Sequence, residues 1–173
     1  MRLFTALRPS DEFRAALADL QERIRSAGVT GRYQDPDNLH MTMAFIGEWP
    51  EDVTHVLPQV KHPFPITLSH LGSFPEAKVL WAGTEPSEPL DNLVKQVRHN
   101  LADAGIPFDP KKYTPHITLV RKPSVPARVI LSEIYVPSVS MTVEEVCLFR
   151  SDRGKSGMEY TVIGSSMDEY EEL

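Results

Sequence analysis

Hydrophobic residues recur along this chain at spacings that predict two long helices. In the first stretch they follow one another at spacings of four, three and four, as on one face of a helix: Phe13, Leu17, Leu20 and Ile24. Ser10 or Asp11 can cap the start of this helix and Gly28 ends it, so we predict a helix over about 10–27. A second set predicts another helix that ends at Gly105: Leu90, Leu93, Val94, Val97 and Leu101.

Shorter apolar runs bounded by proline and glycine predict strands. These runs cover residues 2–7, 39–46, 66–71, 79–83, 116–120, 130–136, 139–149 and 160–163. Residues 153–157 predict a hairpin loop, and residues 51–61 a short helix. Because strands interleave with two long helices, the sequence predicts an α+β fold with largely antiparallel sheets.

The two halves of the chain resemble each other at an offset of 75 to 77 residues. Three pairs of segments match in residue type: 9–11 with 86–88, 27–28 with 104–105, and 67–74 with 142–149. Self-similarity that occurs only twice indicates a duplication rather than a solenoid. We therefore predict one domain over 1–173 with two similar lobes, each a sheet with a long helix, and a cleft between them. The first repeat covers about 1–75, the second about 76–164, and an acidic tail covers 165–173.

Each repeat carries a tetrapeptide that reads His, apolar, Thr, apolar. The first is residues 40–43 (HMTM) and the second is residues 116–119 (HITL). Residues i and i+2 of a strand point to the same face, so each segment offers one imidazole and one hydroxyl side by side. Two such pairs in one cleft supply two titratable bases and two hydroxyl donors. That set suits attack on a phosphate ester without a metal.

Composition and charge narrow the class of protein. With 173 residues, 41% hydrophobic and 24% charged, the chain is typical of a soluble globular protein. It has no apolar run long enough to span a bilayer and no visible secretory signal, so we expect a cytoplasmic protein without a membrane partner. The single cysteine, Cys147, lies in an apolar run, which predicts a buried side chain and excludes a disulfide within the chain.

The net charge of −6 is concentrated at the C-terminus. Four acids lie in the last six residues and leave a net charge of −2 on the rest: Asp168, Glu169, Glu171 and Glu172. A body so close to neutrality can hold a local basic cleft, but it is not suited to wrapping long duplexes. The tail itself predicts a solvated, frayed end.

Paired motifs on a duplicated α+β chain resemble the 2H phosphoesterase superfamily, and within it the LigT-like RNA 2′,3′-cyclic phosphodiesterases. The matching segments are 38–47 (NLHMTMAFIG) and 113–121 (YTPHITLVR), supported by 2–4, 71–75, 79–81 and 148–151. The resemblance implies opening of RNA 2′,3′-cyclic phosphate ends to a 2′-phosphate, without metal or cofactor, and in some members the reverse 2′-5′ joining. The implied partners are RNA 3′ ends or small cyclic nucleotides, and we expect a monomer.

The same resemblance implies roles for single residues. It makes His40 the acid for the leaving 3′ oxygen and His116 the base. Thr42 and Thr118 bind the phosphate. Histidine suits both roles because its ordinary pKa of about 6.5 lets the two protonation states coexist near neutrality.

Phe45 and Arg121 line the site in the family, where they contact base and phosphate. Each lies five residues past a motif histidine, and strict alternation would place it on the opposite face of the strand. They reach the cleft only if the strand bulges or twists there, or ends at the cleft rim. Otherwise Phe45 is a core residue and Arg121 a surface charge at a strand end.

Other residues and functions have alternatives. A lone histidine on a strand is more often a packed or surface residue, and we expect this of His55, His62, His70 and His99. We expect Trp81 and Phe74 in the core, and Lys111 and Lys112 as solvated loop charges.

Two other functions remain open: an esterase for another small cyclic phosphate, such as a nucleotide-sugar derivative, and a non-catalytic RNA-end binder. A structural or adaptor protein would not need the two matched motifs.

Overall fold

Two antiparallel sheets and two long helices make up the fold in a computed structural model that describes residues 1–168. In chain order the elements are β1 (Arg2–Leu7), α1 (Asp11–Ser26), β2 (Thr30–Tyr33), β3 (Met41–Glu48), β4 (Phe64–Phe74), β5 (Val79–Thr84), α2 (Glu88–Asp103), β6 (Ile117–Ser124), β7 (Ser140–Val143), β8 (Cys147–Gly154) and β9 (Gly157–Ser165). Single 3₁₀ turns lie at Pro36–Asn38, Thr54–Val56 and Leu131–Glu133. The predicted α+β class is confirmed.

Both predicted helices form, and each has a serine cap. The Ser10 hydroxyl accepts a hydrogen bond from the Phe13 amide at 3.3 Å, and the Ser87 hydroxyl accepts one from the Leu90 amide at 3.2 Å. The apolar positions that predicted the helices are buried on one face of each. Gly28 follows α1 with a φ of 109°, a conformation that a side chain would oppose.

The structure differs from the predicted elements at four places. Residues 130–136 form a 3₁₀ turn, Leu131–Glu133, rather than a strand, since the prolines at 126 and 137 that flank them have no N–H to pair in a ladder. The run 139–149 is two strands, β7 and β8, separated at an acidic pair whose Glu145 binds Arg8 at 3.0 Å. Residues 51–61 hold one 3₁₀ turn instead of a short helix, and β2 was not predicted.

The two halves of the chain exchange a strand. One sheet has the order β3-β1-β8-β9 and the other β2-β6-β5-β4-β7. In the first, β1 pairs with β3 on one side and with β8 of the second half on the other. In the second, β5 pairs with β6 on one side and with β4 of the first half on the other. The three-strand units β3-β1-β8 and β6-β5-β4 therefore correspond to each other, and each lobe contains strands from both halves.

The main core draws on both helices and both sheets. A smaller cluster lies on the other face of the four-stranded sheet and consists of Phe4, Ala6, Cys147 and Phe149. Cys147 is buried there, as predicted. Within residues 1–168, neither helix combines the length and the apolar character needed to cross a bilayer.

Candidate active site

A cleft of about 760 Å³ is lined by residues of both sheets. It brings together all six residues that the sequence singled out: His40, Thr42, Phe45, His116, Thr118 and Arg121. The two histidines hold equivalent places, because each lies one residue before a strand, His40 before β3 and His116 before β6. The two matching chain segments therefore supply the cleft with two imidazoles, two hydroxyls and one guanidinium.

Each motif histidine is held through Nδ1 by a carbonyl two residues earlier. Nδ1 of His40 lies 2.7 Å from the Asn38 carbonyl oxygen, and Nδ1 of His116 lies 2.7 Å from that of Thr114. A carbonyl oxygen can only accept, so Nδ1 carries the proton in both rings. Nε2 is then the atom of each imidazole that is left to take or give a proton.

Aromatic rings pack against both histidines. The His40 ring lies 4.7 Å from Phe4 and 5.8 Å from Phe149, between ring centroids. The His116 ring lies 5.9 Å from Trp81. Phe74 lies 5.0 Å from His116 and lines the cleft, so it is not the core residue we expected. Trp81 is buried, as expected, with 8% of its surface exposed.

Both motif histidines favour the neutral form in the free protein. Burial lowers the pKa of His40 to about 4, and the nearby Arg121 and His116 contribute to that lowering, while the bond to Asn38 opposes it. The pKa of His116 is also lowered, mainly by burial and further by Arg121. An anion bound in the cleft would raise both values, because it favours the protonated form of a neighbouring imidazole.

A bulge in β3 places Thr42 and Phe45 on the same cleft. In the pairing with β1, Ala44 lies opposite Thr5 and Thr42 opposite Ala6, so Met43 has no partner. Met43 and Ala44 are both buried in the main core. Two successive inward side chains reset the alternation, and Phe45 returns to the cleft face.

The equivalent bulge occurs in β6. In the pairing with β5, Val120 lies opposite Leu80 and Thr118 opposite Trp81, and Leu119 is passed over. Leu119 and Val120 are both buried, and Arg121 then lines the cleft. The condition that the sequence set for Phe45 and Arg121 to reach the site is thus met by one bulge in each motif strand.

Arg121 is a cation that lowers the pKa of both motif histidines. Its side chain is exposed, and no acidic group of residues 1–168 lies within 4 Å of it. A guanidinium without a carboxylate partner at the wall of a cleft is suited to bind an anion with two parallel hydrogen bonds.

Two residues outside the predicted site, Asn38 and Tyr160, support His40. The Asn38 side chain donates to the Met158 carbonyl at 2.9 Å, and its oxygen accepts from the Tyr160 amide at 3.5 Å. The Tyr160 ring lies 5.0 Å from His40, edge to face. Asn38 thus ties the carbonyl that holds His40 to strand β9. Only its position in the matched segment 38–47 could have pointed to it.

The remaining candidates fall outside the chemistry of the cleft or at its edge. Lys111 and Lys112 line the cleft at the loop before His116. Of the four other histidines, His70 packs against Trp81 at 5.7 Å. Residues 1–168 contain no group of three His, Cys, Asp or Glu side chains arranged to hold a metal ion.

The family model described as the 2′-5′ RNA ligase superfamily matches residues 6–155. The RNA 2′,3′-cyclic phosphodiesterase of Thermotoga maritima is 25% identical, over 94% of this chain and 93% of the relative. The protein of the same name from Thermus thermophilus is 31% identical, over 94% of this chain and 88% of the relative.

Solved structures of proteins with similar sequences have the same fold as this chain. The crystal structure of E. coli LigT complexed with 3′-AMP is similar with a TM-score of 0.76 and 26% identity, covering 95% of each chain. The matched region of the family model includes both histidine motifs and both bulged strands. With this fold and this match over most of its length, the chain belongs to the 2′-5′ RNA ligase superfamily of 2H phosphoesterases.

Proposed function

We propose that this chain, a cyclic phosphodiesterase of its family, opens the 2′,3′-cyclic phosphate at the 3′ end of RNA and leaves a 2′-phosphate. The observation that carries the proposal is the convergence of two His-x-Thr pairs on one cleft. In each pair a backbone carbonyl binds Nδ1 of the imidazole and leaves Nε2 for proton transfer. The names of the relatives and the 3′-AMP complex of LigT support an RNA end as the substrate.

The proposed reaction needs two proton transfers and no metal. Water attacks phosphorus, the new P–O bond forms, and the water proton passes to Nε2 of a neutral imidazole. The P–O3′ bond breaks at the same phosphorus, and the imidazolium opposite gives its proton to the leaving 3′ oxygen. The product carries a 2′-phosphate and a free 3′ hydroxyl, and the two histidines have exchanged protonation states.

The resemblance assigns the acid to His40 and the base to His116. Burial lowers the pKa of His40 to about 4 in the free protein, so this assignment requires the bound phosphate anion to raise that pKa until the imidazolium forms. Thr42 and Thr118 lie beside the two rings and can donate hydrogen bonds to the non-bridging oxygens. Arg121 adds a positive charge for the same oxygens, and Phe45 offers a ring face to the base.

The first experiment measures hydrolysis of a short RNA that ends in a 2′,3′-cyclic phosphate, with chelator present. Wild type should open the ring to a 2′-phosphate, and His40→Ala and His116→Ala should each lose about 10² to 10⁴ in rate. His99→Ala is the matched control, since His99 is exposed on α2 and does not line the cleft. Turnover that survives in both motif variants would contradict the proposal.

A substrate whose 3′ oxygen is replaced by sulfur separates the acid from the base. A thiolate leaves without a proton, because a thiol has a pKa of about 8.5. This analogue should restore turnover in His40→Ala and leave His116→Ala inactive. Rescue of His116→Ala instead would reverse the two roles.

The other functions are outcomes of the same assays. Wild type that binds the cyclic end without opening it would favour an RNA-end binder. Activity only on other small cyclic phosphates would favour an esterase for those substrates. Formation of a 2′-5′ bond when a 5′-hydroxyl RNA replaces water would add the reverse joining reaction.

A further inference from the structure

A second groove, of about 670 Å³, opens beside the cleft and shares Arg121 with it. We call it the upstream groove. Its walls come from α1, from β2 with the segment that follows it, and from the β8–β9 hairpin. The cationic and aromatic side chains among them are Arg25, Arg32, Tyr33, Arg121 and Tyr160. The groove thus continues from the catalytic cleft past its free guanidinium.

The three arginines of the upstream groove differ in whether an acidic side chain already pairs with them. Arg32 is exposed, and no acid of residues 1–168 lies within 4 Å of it. Arg25 lies 4.2 Å above the Tyr33 ring and pairs with Glu22. One acid of the groove, Asp35, is already used locally, because its side chain accepts from the Asp37 amide at 2.9 Å. Arg32 and Arg121, which lie opposite each other in the pairing of β2 with β6, are left as the free cations of the groove.

We infer that the upstream groove binds the single-stranded RNA that lies 5′ of the terminal nucleotide. Proteins bind single strands through a cationic groove that follows the backbone and aromatic rings on which bases stack. The inference rests on the proposed function, since the terminal cyclic phosphate must occupy the cleft. Arg121 then lies where the RNA leaves the cleft, and Arg32, opposite it on β2, contacts the next phosphodiester.

Binding is measured by fluorescence anisotropy with a short RNA that ends in a 2′-phosphate, and by its competition with the matching 2′-mononucleotide. Arg32→Ala should weaken the oligonucleotide about fivefold to tenfold relative to the mononucleotide, and it should reduce the slope of log K against log salt by about 0.7. Arg32→Lys should keep most of that slope. Arg23→Ala is the control. Arg23 is exposed like Arg32, but it lies on α1, pairs with Asp19 and does not line the groove.

Two results would overturn the inference. One is an equal effect of Arg32→Ala on both ligands, and the other is a wild type that binds the oligonucleotide no more tightly than the mononucleotide. Turnover of the cyclic end, measured on the same preparations, tests the proposed function separately. A protein that lacks turnover but binds the oligonucleotide through Arg32 would retain the groove and refute only the reaction.

A different observation concerns Gln21, a buried polar residue of α1. Its side-chain amide donates to the Leu119 carbonyl at 3.0 Å and to the Gln34 carbonyl at 2.9 Å. Leu119 is the bulged residue of the second motif strand, and Gln34 lies in the segment that leads to the first motif. One side chain therefore joins the approach to one motif with the bulge of the other.

Arg98 of α2 makes the equivalent connection, 77 residues after Gln21. Its Nε donates to the Met43 carbonyl at 3.2 Å, and its Nη1 donates to the Lys111 carbonyl at 2.8 Å. Met43 is the bulged residue of the first motif strand, and Lys111 lies in the segment that leads to the second motif. The two side chains thus link the motif segments to each other from both sides.

We propose that Gln21 and Arg98 are positioning residues that set the separation of the two histidines for the proposed reaction. A displacement of about 1 Å between reacting groups can cost about a hundredfold in rate, whereas substrate binding tolerates it better. Arg98→Met should therefore lower kcat about tenfold or more and change KM less than about threefold. Arg98→Lys should recover part of kcat, because an ammonium can still donate to one of the two carbonyls.

Asn100→Ala is the matched control, since Asn100 lies on the same helix and donates to the Val56 carbonyl at 3.0 Å, away from both motifs. It should lower thermal stability without lowering kcat. Histidine ring NMR signals of His40 and His116 should move in Arg98→Met and stay in place in Asn100→Ala, whether or not the protein turns over. Gln21→Met repeats the test if Arg98→Met does not fold. Equal effects of the Arg98 and Asn100 variants on both readouts would overturn the proposal.

Discussion

Acidification should destabilise this protein through His40 in a defined pH window. The pKa of His40 is lowered by burial to about 4 in the folded chain, against an ordinary value of 6.5. Above pH 6.5 the ring is neutral in both states, so it adds no pH dependence. Between pH 6.5 and 4 the unfolded chain binds a proton that the folded chain does not, and the free energy of unfolding falls. At about 1.36 kcal/mol per pKa unit, the loss by pH 4 is about 3 kcal/mol.

Urea unfolding at a series of pH values from 4 to 7.5 measures this loss. His40→Gln has no titrating ring, so the stability of wild type minus that of the variant should fall by about 3 kcal/mol as the pH drops from 7 to 4. His116 is present in both proteins, and its own contribution cancels in the difference. His99→Gln is the control for replacing a histidine by glutamine, since His99 is exposed on α2 and does not line the cleft.

A difference between wild type and His40→Gln that stays constant with pH would refute the reasoning. It would mean that His40 titrates near its ordinary value and that burial does not control its charge. A phosphate-bearing ligand provides a second check. An anion in the cleft raises the pKa of His40, so a saturating mononucleotide should shrink the acid loss and should bind more tightly at pH 5 than at pH 7.

Three further substitutions test the cleft and its support. Thr118→Val should lower kcat about a hundredfold with little change in stability, because it removes one phosphate donor; an unchanged kcat would remove this residue from the site. Asn38→Ala should lower kcat about tenfold and weaken protection of the His40 ring proton in NMR, since the carbonyl that holds the ring loses its link to β9. Gly72→Ala places a methyl carbon against the Trp81 ring, closer than van der Waals contact allows, and should cost about 1–3 kcal/mol in urea unfolding; a neutral effect would show that the tryptophan can move freely.

Local patterns predicted the parts of the fold that depend on neighbours in the sequence. Helical spacing and a following glycine identified both helices, and a capping residue marked the start of the first, because burial of one face and the caps depend on adjacent residues. The His-x-Thr spacing identified the two pairs that line the cleft, since period-2 alternation holds over three residues. Phe4 and Trp81, which pack against His40 and His116 respectively, are also separated by 77 residues, so the repeat itself relates these two rings.

What the sequence did not predict depends on long-range pairing. The exchange of β4 and β8 between the halves follows from which strands meet in the folded chain, and no pattern within a strand specifies its partner. The same limit hid Tyr160, which reaches His40 only because β9 pairs with β8. The run 139–149 was read as one strand because its apolar residues outweighed Glu144 and Glu145, whereas the second of these acids binds Arg8 of another segment.

Duplication explains why the two half-sites match, and the departures from it explain how they can differ in role. Acid–base catalysis by a pair requires one group that holds its proton and one that does not, and environment must separate them. His40 has a third aromatic neighbour, Tyr160, and burial lowers its pKa to about 4 in the free protein, so it becomes the proton donor only when a bound phosphate anion raises that pKa. The position five past His40 is a phenylalanine, whereas the position five past His116 is Arg121. A repeat that kept its bulges and its carbonyl contacts but changed these neighbours has the means to turn two equal histidines into a donor and an acceptor.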